Sequence, residues 1–257
     1  MKARRSLGGL VLATSLLWGA SVAAQGDATA ARELFARTLE ALPRIPFVAR
    51  LRLTTDLGET RELELRHKVV GGARASYLEV VAPTNIAGIR FLFLEYPDRP
   101  AEQYMKVTGA RSSVRIASHV RRRPFLGSTF YVADMVEPRL DEFDYRFVEG
   151  EEKLLGRDCV LVEALPKDGH DALYGKIVFA IAPEERLVLR RNFFDKSGEP
   201  LKVWTVEKLE KIDGIWTPLE QRMRNVQEKT ESTLVVESVR YNVEIDDTVF
   251  TPQYLLR

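Results

Sequence analysis

The stretch FVARLRLTTDLGETRELELRHKV, residues 47–69, decides the fold of this 257-residue chain. Its residues alternate between apolar and charged side chains on both sides of a short turn sequence, DLGET. Because successive side chains of a strand point to opposite faces, this alternation predicts a two-stranded antiparallel hairpin with one solvent-exposed face. The side chains on its apolar face are Phe47, Ala49, Leu51, Leu53, Leu63, Leu65, His67 and Val69.

Similar segments, separated by turn-forming residues, continue to the end of the chain. The further candidate strands are residues 74–82, 88–96, 102–107, 111–117, 143–153, 158–165, 174–182, 187–195, 200–211, 215–227 and 230–243. We expect about ten or eleven antiparallel strands in total. No Pro/Ser-rich linker and no repeat of ~20–50 residues interrupts them, so residues 25–257 are predicted to form a single domain.

A single amphipathic helix is predicted ahead of the strands. Its apolar stripe, spaced by three and four residues, consists of Leu34, Phe35, Thr38, Leu39 and Leu42. Asp27 is positioned to cap this helix and Pro43 to end it, which predicts a helix over residues 28–42.

A long antiparallel sheet twists and curls until it closes or half-closes. The sequence therefore predicts a mainly β fold, a half-open antiparallel β-barrel with the amphipathic helix as its lid. A barrel of this size can enclose a ligand cavity instead of a filled core. The candidate cavity lining is Leu34, Phe35, Leu39, Phe47, Leu51, Leu53, Leu63, Leu65, Phe91, Phe93, Phe125 and Leu126. Each of these side chains can also belong to a packed core, and the sequence leaves that choice open.

The segment GIRFLFLEY, residues 88–96, is apolar on both faces, because Phe91 and Phe93 alternate with Leu92 and Leu94. A strand with apolar side chains on both faces needs a covering element on each face to bury them. The lid helix is one candidate for such a cover.

The N-terminus has the three parts of a secretory signal: basic residues at positions 2, 4 and 5, an apolar run at 7–20, and small residues after it. Cleavage is expected after Ala24, with Ala23 as the alternative, so residues 1–24 are predicted to be a signal peptide. An uncleaved membrane anchor is the competing interpretation, but the apolar run is shorter than the ~20 residues that span a bilayer. The mature protein is therefore predicted to be exported from the cytoplasm.

Charge and cysteine content exclude two classes of protein. The chain has 38 basic and 37 acidic residues, and the signal peptide holds three of the basic residues and none of the acidic ones. A nearly balanced, exported chain has no general attraction for polyanions, so no nucleic-acid partner is expected. Cys159 is the only cysteine, which excludes an internal disulfide.

Three consecutive arginines, Arg121, Arg122 and Arg123, precede an apolar stretch in RRRPFLGSTF, residues 121–130. Guanidinium groups form paired hydrogen bonds with phosphate or carboxylate oxygens, so the three are candidate rim or partner-binding residues beside the apolar region. Arginine and proline also protect exposed sheet edges. A solvated edge segment is therefore the alternative interpretation.

No catalytic residue, metal site or cofactor is expected. The histidines, at positions 67, 119 and 170, have no metal-type spacing. His67 falls on the apolar side of its strand and is expected to be a hydrogen-bonded interior residue. Ser128 lacks the G-x-S-x-G context of a nucleophile, and Cys159 is expected to be a buried, inert thiol.

Six phrases, in order along nearly the whole mature chain, resemble the LolA-like family of outer-membrane lipoprotein-sorting proteins, in the longer branch associated with RND/MMPL-type transporters. They are PTNIAGIRFLFLEY (83–96), RRRPFLGSTFYVADM (121–135), LLGRDCVLVEALPK (154–167), LVLRRNFFDKSGEPLKVW (187–204), KIDGIWTPLEQRMRNVQEKTESTL (211–234) and VEIDDTVFTPQYL (243–255). The resemblance implies a half-open barrel with a helical lid, and a non-catalytic periplasmic carrier of lipid or lipoprotein acyl chains. An inner-membrane RND/MMPL-type transporter is the implied partner, and a monomer is expected.

One departure from the family pattern follows Gly127 and Ser128. Family members tend to carry an acid and an aromatic–acid pair there, roughly GSDFSYED, whereas this chain continues as TFYVAD, residues 129–134. The first acid is absent and an alanine replaces the second, which puts a paired-charge role of this loop in doubt.

Two other functions remain open from the sequence. The same fold can serve as a periplasmic adaptor or sensor subunit of an envelope transporter or stress system without cargo, as in RseB-type sensors, although the single domain expected here lacks their second domain. An enzyme is the third hypothesis, and loss of an activity on replacing His67 or Asp168 would support it.

Overall fold

The computed structural model describes residues 17–257, with side chains from Asp27 onward. Most of the predicted signal peptide, residues 1–16, lies outside the described residues. One helix, α1 (Leu17–Ala41), precedes the strands. The predicted start at residue 28 is therefore wrong: Asp27 lies inside the helix and does not cap it, because the alanine-rich sequence before it also favours helix. The helix ends one residue before the predicted position, ahead of Pro43.

Thirteen β-strands follow in one antiparallel sheet. They are β1 (Phe47–Thr54), β2 (Thr60–Val70), β3 (Ala73–Ala82), β4 (Arg90–Glu95), β5 (Glu102–Lys106), β6 (Val114–Arg115), β7 (Phe143–Leu154), β8 (Arg157–Pro166), β9 (Lys176–Ala182), β10 (Leu187–Phe194), β11 (Pro200–Ile212), β12 (Ile215–Asn225) and β13 (Thr230–Tyr241). Each predicted segment coincides with one of these strands, so the expected total of about ten or eleven was too low.

The strand order is β6-β5-β4-β3-β2-β1-β13-β12-β11-β10-β9-β8-β7, and the described sheet is open. The first and last strands of the chain, β1 and β13, pair in its middle. The predicted hairpin is present, with Leu51 of β1 opposite Leu63 of β2. The predicted mainly β fold is confirmed. Because β6 and β7 are consecutive in the chain and lie at opposite edges, the segment between them must cross the sheet.

We call this crossing segment, residues 116–142, the strap. The ring of Phe125 packs with its centre 4.9 Å from that of Phe91 in β4. Farther along, the backbone amide of Thr129 donates a hydrogen bond of 2.9 Å to the Ser232 hydroxyl of β13. The strap therefore covers one apolar face of the sheet.

Helix α1 covers the same face near the β7 edge. Phe35 is fully buried, and the centre of its ring lies 5.0 Å from that of Tyr145 in β7 and 4.6 Å from that of Phe179 in β9. The opposite side of the helix is exposed and carries Arg32, Glu33, Arg37 and Glu40. The predicted amphipathic cover is therefore present.

The other face of the sheet has its own core. Leu92 of β4 is fully buried and packs in a cluster with Val249, Phe250 and Leu255 from the C-terminal segment, residues 243–257. The prediction that β4 is dry on both faces is confirmed. Its covers are the strap on one face and the C-terminal segment, which the sequence analysis had missed, on the other.

A buried ion pair fixes the strap to the sheet. The Asp134 carboxylate accepts hydrogen bonds from Lys202 Nζ of β11 and from the Tyr174 hydroxyl, both at 2.6 Å, and from the Tyr131 amide at 2.7 Å. The Lys202 side chain has no exposed surface. Burial lowers the pKa of Lys202, an effect that the Asp134 carboxylate opposes. The doubt about a paired charge in this loop was therefore misplaced, since Asp134 provides one.

His67 connects the sheet to the linker between α1 and β1. Its Nε2 lies 3.2 Å from the Pro43 carbonyl oxygen and its Nδ1 lies 2.9 Å from the Ser76 hydroxyl. A carbonyl can only accept, so Nε2 carries the proton and Nδ1 accepts from Ser76. Burial lowers the pKa of His67 to about 4. The prediction of a hydrogen-bonded interior histidine is confirmed.

We expect the Asp134→Asn variant to lose about 3–5 kcal/mol of unfolding free energy, because it leaves the buried Lys202 ammonium without a counter-charge. The double variant Asp134→Asn/Lys202→Met should be more stable than Asp134→Asn alone. Urea denaturation at neutral pH measures both.

As a control, Asp158→Asn removes an exposed pair with Lys153, 3.4 Å apart, and should cost about 0–1 kcal/mol of unfolding free energy. Lys202→Met is measured alone as well. If the loss of unfolding free energy in the double variant equalled the sum of the losses in the two single variants, the pairing would be contradicted.

The stability of the protein should fall as the pH is lowered from 7 toward 4.5. An unfolded histidine binds a proton below its ordinary pKa of 6.5, whereas folded His67 stays neutral down to about pH 4. The unfolded state therefore binds more protons in this window, and His67 contributes a loss of about 2–3 kcal/mol at pH 4.5. Urea denaturation at both pH values should show a smaller loss for His67→Gln. If the wild-type protein and His67→Gln lost the same unfolding free energy between pH 7 and 4.5, the neutral state of His67 would be contradicted.

Candidate functional site

An unfilled cavity of about 290 Å³ lies between the C-terminal end of α1 and the middle of the sheet. Most of its lining is aliphatic or aromatic. The lining includes Leu39, Leu42, Phe47, Leu51, Leu65, Val188, Trp204, Trp216, Leu234, Val236 and Val239. We call it the apolar cavity.

Along the strands, the side chains that line the cavity are every second residue, with one interruption. Leu234 and Val236 of β13 are two residues apart and therefore share a face. A register shift between β1 and β13 then places Leu51 opposite Val236 but Arg50 opposite Ser238. The extra residue of this bulge turns Val239, three positions after Val236, toward the same cavity.

The predicted lining residues divide into two groups. Leu39, Phe47, Leu51 and Leu65 line the apolar cavity. The others line neither cavity and pack instead in the core: Leu34, Phe35, Leu53, Leu63, Phe91, Phe93, Phe125 and Leu126. They are already covered by α1, the strap or neighbouring strands, as the packing of Phe35 and Phe125 illustrates.

Sequence reasoning missed the part of the lining that comes from β10–β13. Trp204 and Trp216 both line the apolar cavity, but neither is among the residues predicted to line it. The available signal was the alternation of apolar residues along these strands, which resembles that of β1 and β2. Nothing in that alternation tells a cavity position from a core position.

A second cavity of about 350 Å³ lies under the strap, beside β7, β9 and β10. Its deeper surface is apolar and includes Phe143, Ile177, Phe179 and Phe193. Ionisable side chains surround this surface: Arg121, Arg122, Asp134, Glu137, Arg139, Glu142, His170, Asp171 and Arg191. We call it the charged cavity.

The structure separates the three candidate arginines. Arg121 and Arg122 line the charged cavity, whereas Arg123 is exposed and lines neither cavity. Arg122 Nη2 lies 3.3 Å from an Asp171 carboxylate oxygen. Arg121 Nε is buried and has no hydrogen-bond partner in the described part of the chain. The three residues therefore occupy different environments despite their adjacency in sequence.

The two cavities are neighbours and meet at an ion pair. Glu137 of the strap and Arg191 of β10 belong to the lining of both. Arg191 Nη2 donates to both oxygens of the Glu137 carboxylate at 2.8 Å, and its guanidinium lies 4.8 Å from the centre of the Trp204 ring. The Glu137 backbone amide donates a 2.8 Å hydrogen bond to Glu95, whose pKa burial raises.

Cys159 is buried, and burial raises the pKa of its thiol, which makes it a poor nucleophile. Within residues 27–257, whose side chains are described, no three His, Cys, Asp or Glu side chains are grouped so as to hold a metal ion. No helix in the described part of the chain has the length and hydrophobicity that crossing a membrane requires.

Comparison of the fold with solved structures identifies similar proteins. A DUF1329 family protein from Desulfovibrio piger is 24% identical with a TM-score of 0.82, and the match covers 89% of this chain and 99% of that one. A Vibrio parahaemolyticus domain, provisionally assigned as an outer membrane lipoprotein-sorting protein, is 21% identical with a TM-score of 0.81, covering 90% and 100%. A LolA superfamily protein from Nitrosomonas europaea is 16% identical with a TM-score of 0.64, covering 87% and 98%.

No curated protein matches the chain. A protein-family model matches residues 72–257, most of the chain, and its description is "Uncharacterized protein". The structural matches confirm the LolA-like resemblance predicted from the sequence at the level of the fold. The chain therefore belongs to the family that this model describes, and its fold is similar to those of the lipoprotein-sorting domain and the LolA superfamily protein.

Proposed function

We propose that this protein is a periplasmic carrier that holds a lipid, or the acyl chains of a lipoprotein, in the apolar cavity. The observation that carries the proposal is the cavity itself, about 290 Å³ of space that the protein's own side chains leave unfilled. Contiguous apolar surface that the chain leaves uncovered often marks a binding site. The LolA-superfamily fold supports the same conclusion.

The physical chemistry of the cavity suits a hydrocarbon chain. Its volume is near the lower end of the ~300–1,000 Å³ range of small-molecule sites, which favours a slender ligand. Burial contributes ~0.8 kcal/mol per methylene, so a chain of ~14 carbons gains on the order of 10 kcal/mol before the costs of ordering it. A carrier of this kind needs no covalent chemistry.

Release of the ligand requires an opening, and α1 is the element best placed to provide it. Leu39, near the C-terminal end of α1, and Leu42, just after the helix, border the apolar cavity. Phe35 anchors the helix at Tyr145 and Phe179. A shift of the end of the helix uncovers the cavity while the anchor stays in place. The sequence resemblance predicts an inner-membrane RND/MMPL-type transporter as the partner.

Native mass spectrometry of the protein purified from periplasm tests the proposal, with organic extraction to identify what is bound. We expect a co-purified lipid or acylated species. The Val236→Trp variant, which fills the apolar cavity, should reduce the bound fraction several-fold. Val235→Trp is the matched control, because Val235 immediately precedes Val236 in β13, points to the opposite face and lines neither cavity.

Circular dichroism must show that both variants are folded. Repeated absence of lipid from the wild-type protein would overturn the carrier proposal. If a partner protein were instead captured by crosslinking in the envelope, without lipid, the adaptor or sensor hypothesis would replace it. Equal lipid loads in the wild-type protein and Val236→Trp would show that lipid binds elsewhere.

A further inference from the structure

We infer that the charged cavity binds the anionic headgroup of the same ligand and that Arg121 is its counter-ion. The substrate class is then an anionic amphiphile, with an oxyanion such as a phosphate in the charged cavity and its hydrocarbon in the apolar cavity. This inference rests on the proposed function and narrows it from lipids in general to acidic lipids.

The first argument is the balance of charges around the charged cavity. Each of the four carboxylates in its lining has a cationic partner, at distances from 2.6 to 3.7 Å. The pairs are Asp134–Lys202, Glu137–Arg191, Glu142–Arg139 and Asp171–Arg122. Arg121 is the lining arginine left without an ion-pair partner in the described part of the chain. Arg121 is therefore the arginine of this lining that is free to pair with an incoming anion.

The second argument is the environment of Arg121. Its Nε is buried and makes no hydrogen bond within residues 17–257, although a buried donor normally finds an acceptor. A guanidinium binds a phosphate or carboxylate through paired hydrogen bonds. A ligand oxyanion would satisfy both the unpaired charge and the unpaired donor.

The third argument distinguishes an amphiphile from a free, hydrated anion. The deeper surface of the charged cavity is formed by Phe143, Ile177, Phe179 and Phe193, and such a surface favours hydrocarbon over water. The apolar cavity begins on the other side of the Glu137–Arg191 pair, which lines both cavities. A headgroup in the charged cavity therefore has a neighbouring apolar cavity for its hydrocarbon.

Two single-chain lipids with the same saturated tail test the inference: monoacyl phosphatidylglycerol, which is anionic, and monoacylglycerol, which has no phosphate and no charge. Binding to delipidated full-length protein is measured by isothermal titration calorimetry below the critical micelle concentrations. We expect the wild-type protein to bind the anionic lipid about tenfold more tightly, as a charge-assisted hydrogen bond allows. Arg121→Gln should abolish this preference and leave binding of the uncharged lipid unchanged.

Arg123→Gln is the matched control, because Arg123 is exposed and lines neither cavity, and it should keep the preference. Equal affinity of the wild-type protein for the two lipids, or a preference that survives in Arg121→Gln, would overturn the headgroup site and leave the carrier proposal intact. Failure of both lipids to bind would instead overturn the carrier proposal. Inorganic phosphate is titrated separately, and binding as tight as that of the anionic lipid would identify a phosphate site without a role for the tail.

Discussion

One constraint governs this structure: an open sheet with an apolar face must have that face covered by other parts of the chain. The end strands, β6 and β7, do not pair in the described sheet, so closure into a barrel does not bury the face. Helix α1 covers it near the β7 edge through Phe35, and the strap crosses it between the edges. These two covers leave the apolar cavity between them and the central strands.

Ion pairs determine where the strap lies. Asp134 binds the buried Lys202 of β11 and Glu137 binds Arg191 of β10, so the strap is tied to the sheet at two neighbouring points. Charges buried in this way are costly unless they are paired and hydrogen-bonded. The same pairing accounts for the acids around the charged cavity and leaves Arg121 uncompensated. The anchoring of the cover and the selectivity proposed for the site therefore arise from one set of contacts.

The sequence predicted local structure well and the site only in part. The alternation in residues 47–69 specifies a hairpin because a strand's period of two is a local property. Leu51 and Leu53 lie on the same face of β1 and both belong to the core, yet Leu51 also lines the apolar cavity and Leu53 does not. Whether a side chain of the sheet packs in the core or borders the cavity depends on the segment that covers it. That segment is distant in sequence from the strand. Lys202 and Asp134, 68 residues apart, illustrate why the strap anchor was missed.

A crystal structure of the protein bound to a lipid with a brominated acyl chain tests the central claim most directly, because anomalous scattering locates the bromine atoms. We expect the bromine signal inside the apolar cavity, beside Trp204 and Val236, with the helix and strap still in place over the sheet. A bromine signal on the outer surface of α1, or at the exposed sheet edges with the apolar cavity free of lipid, would contradict the account.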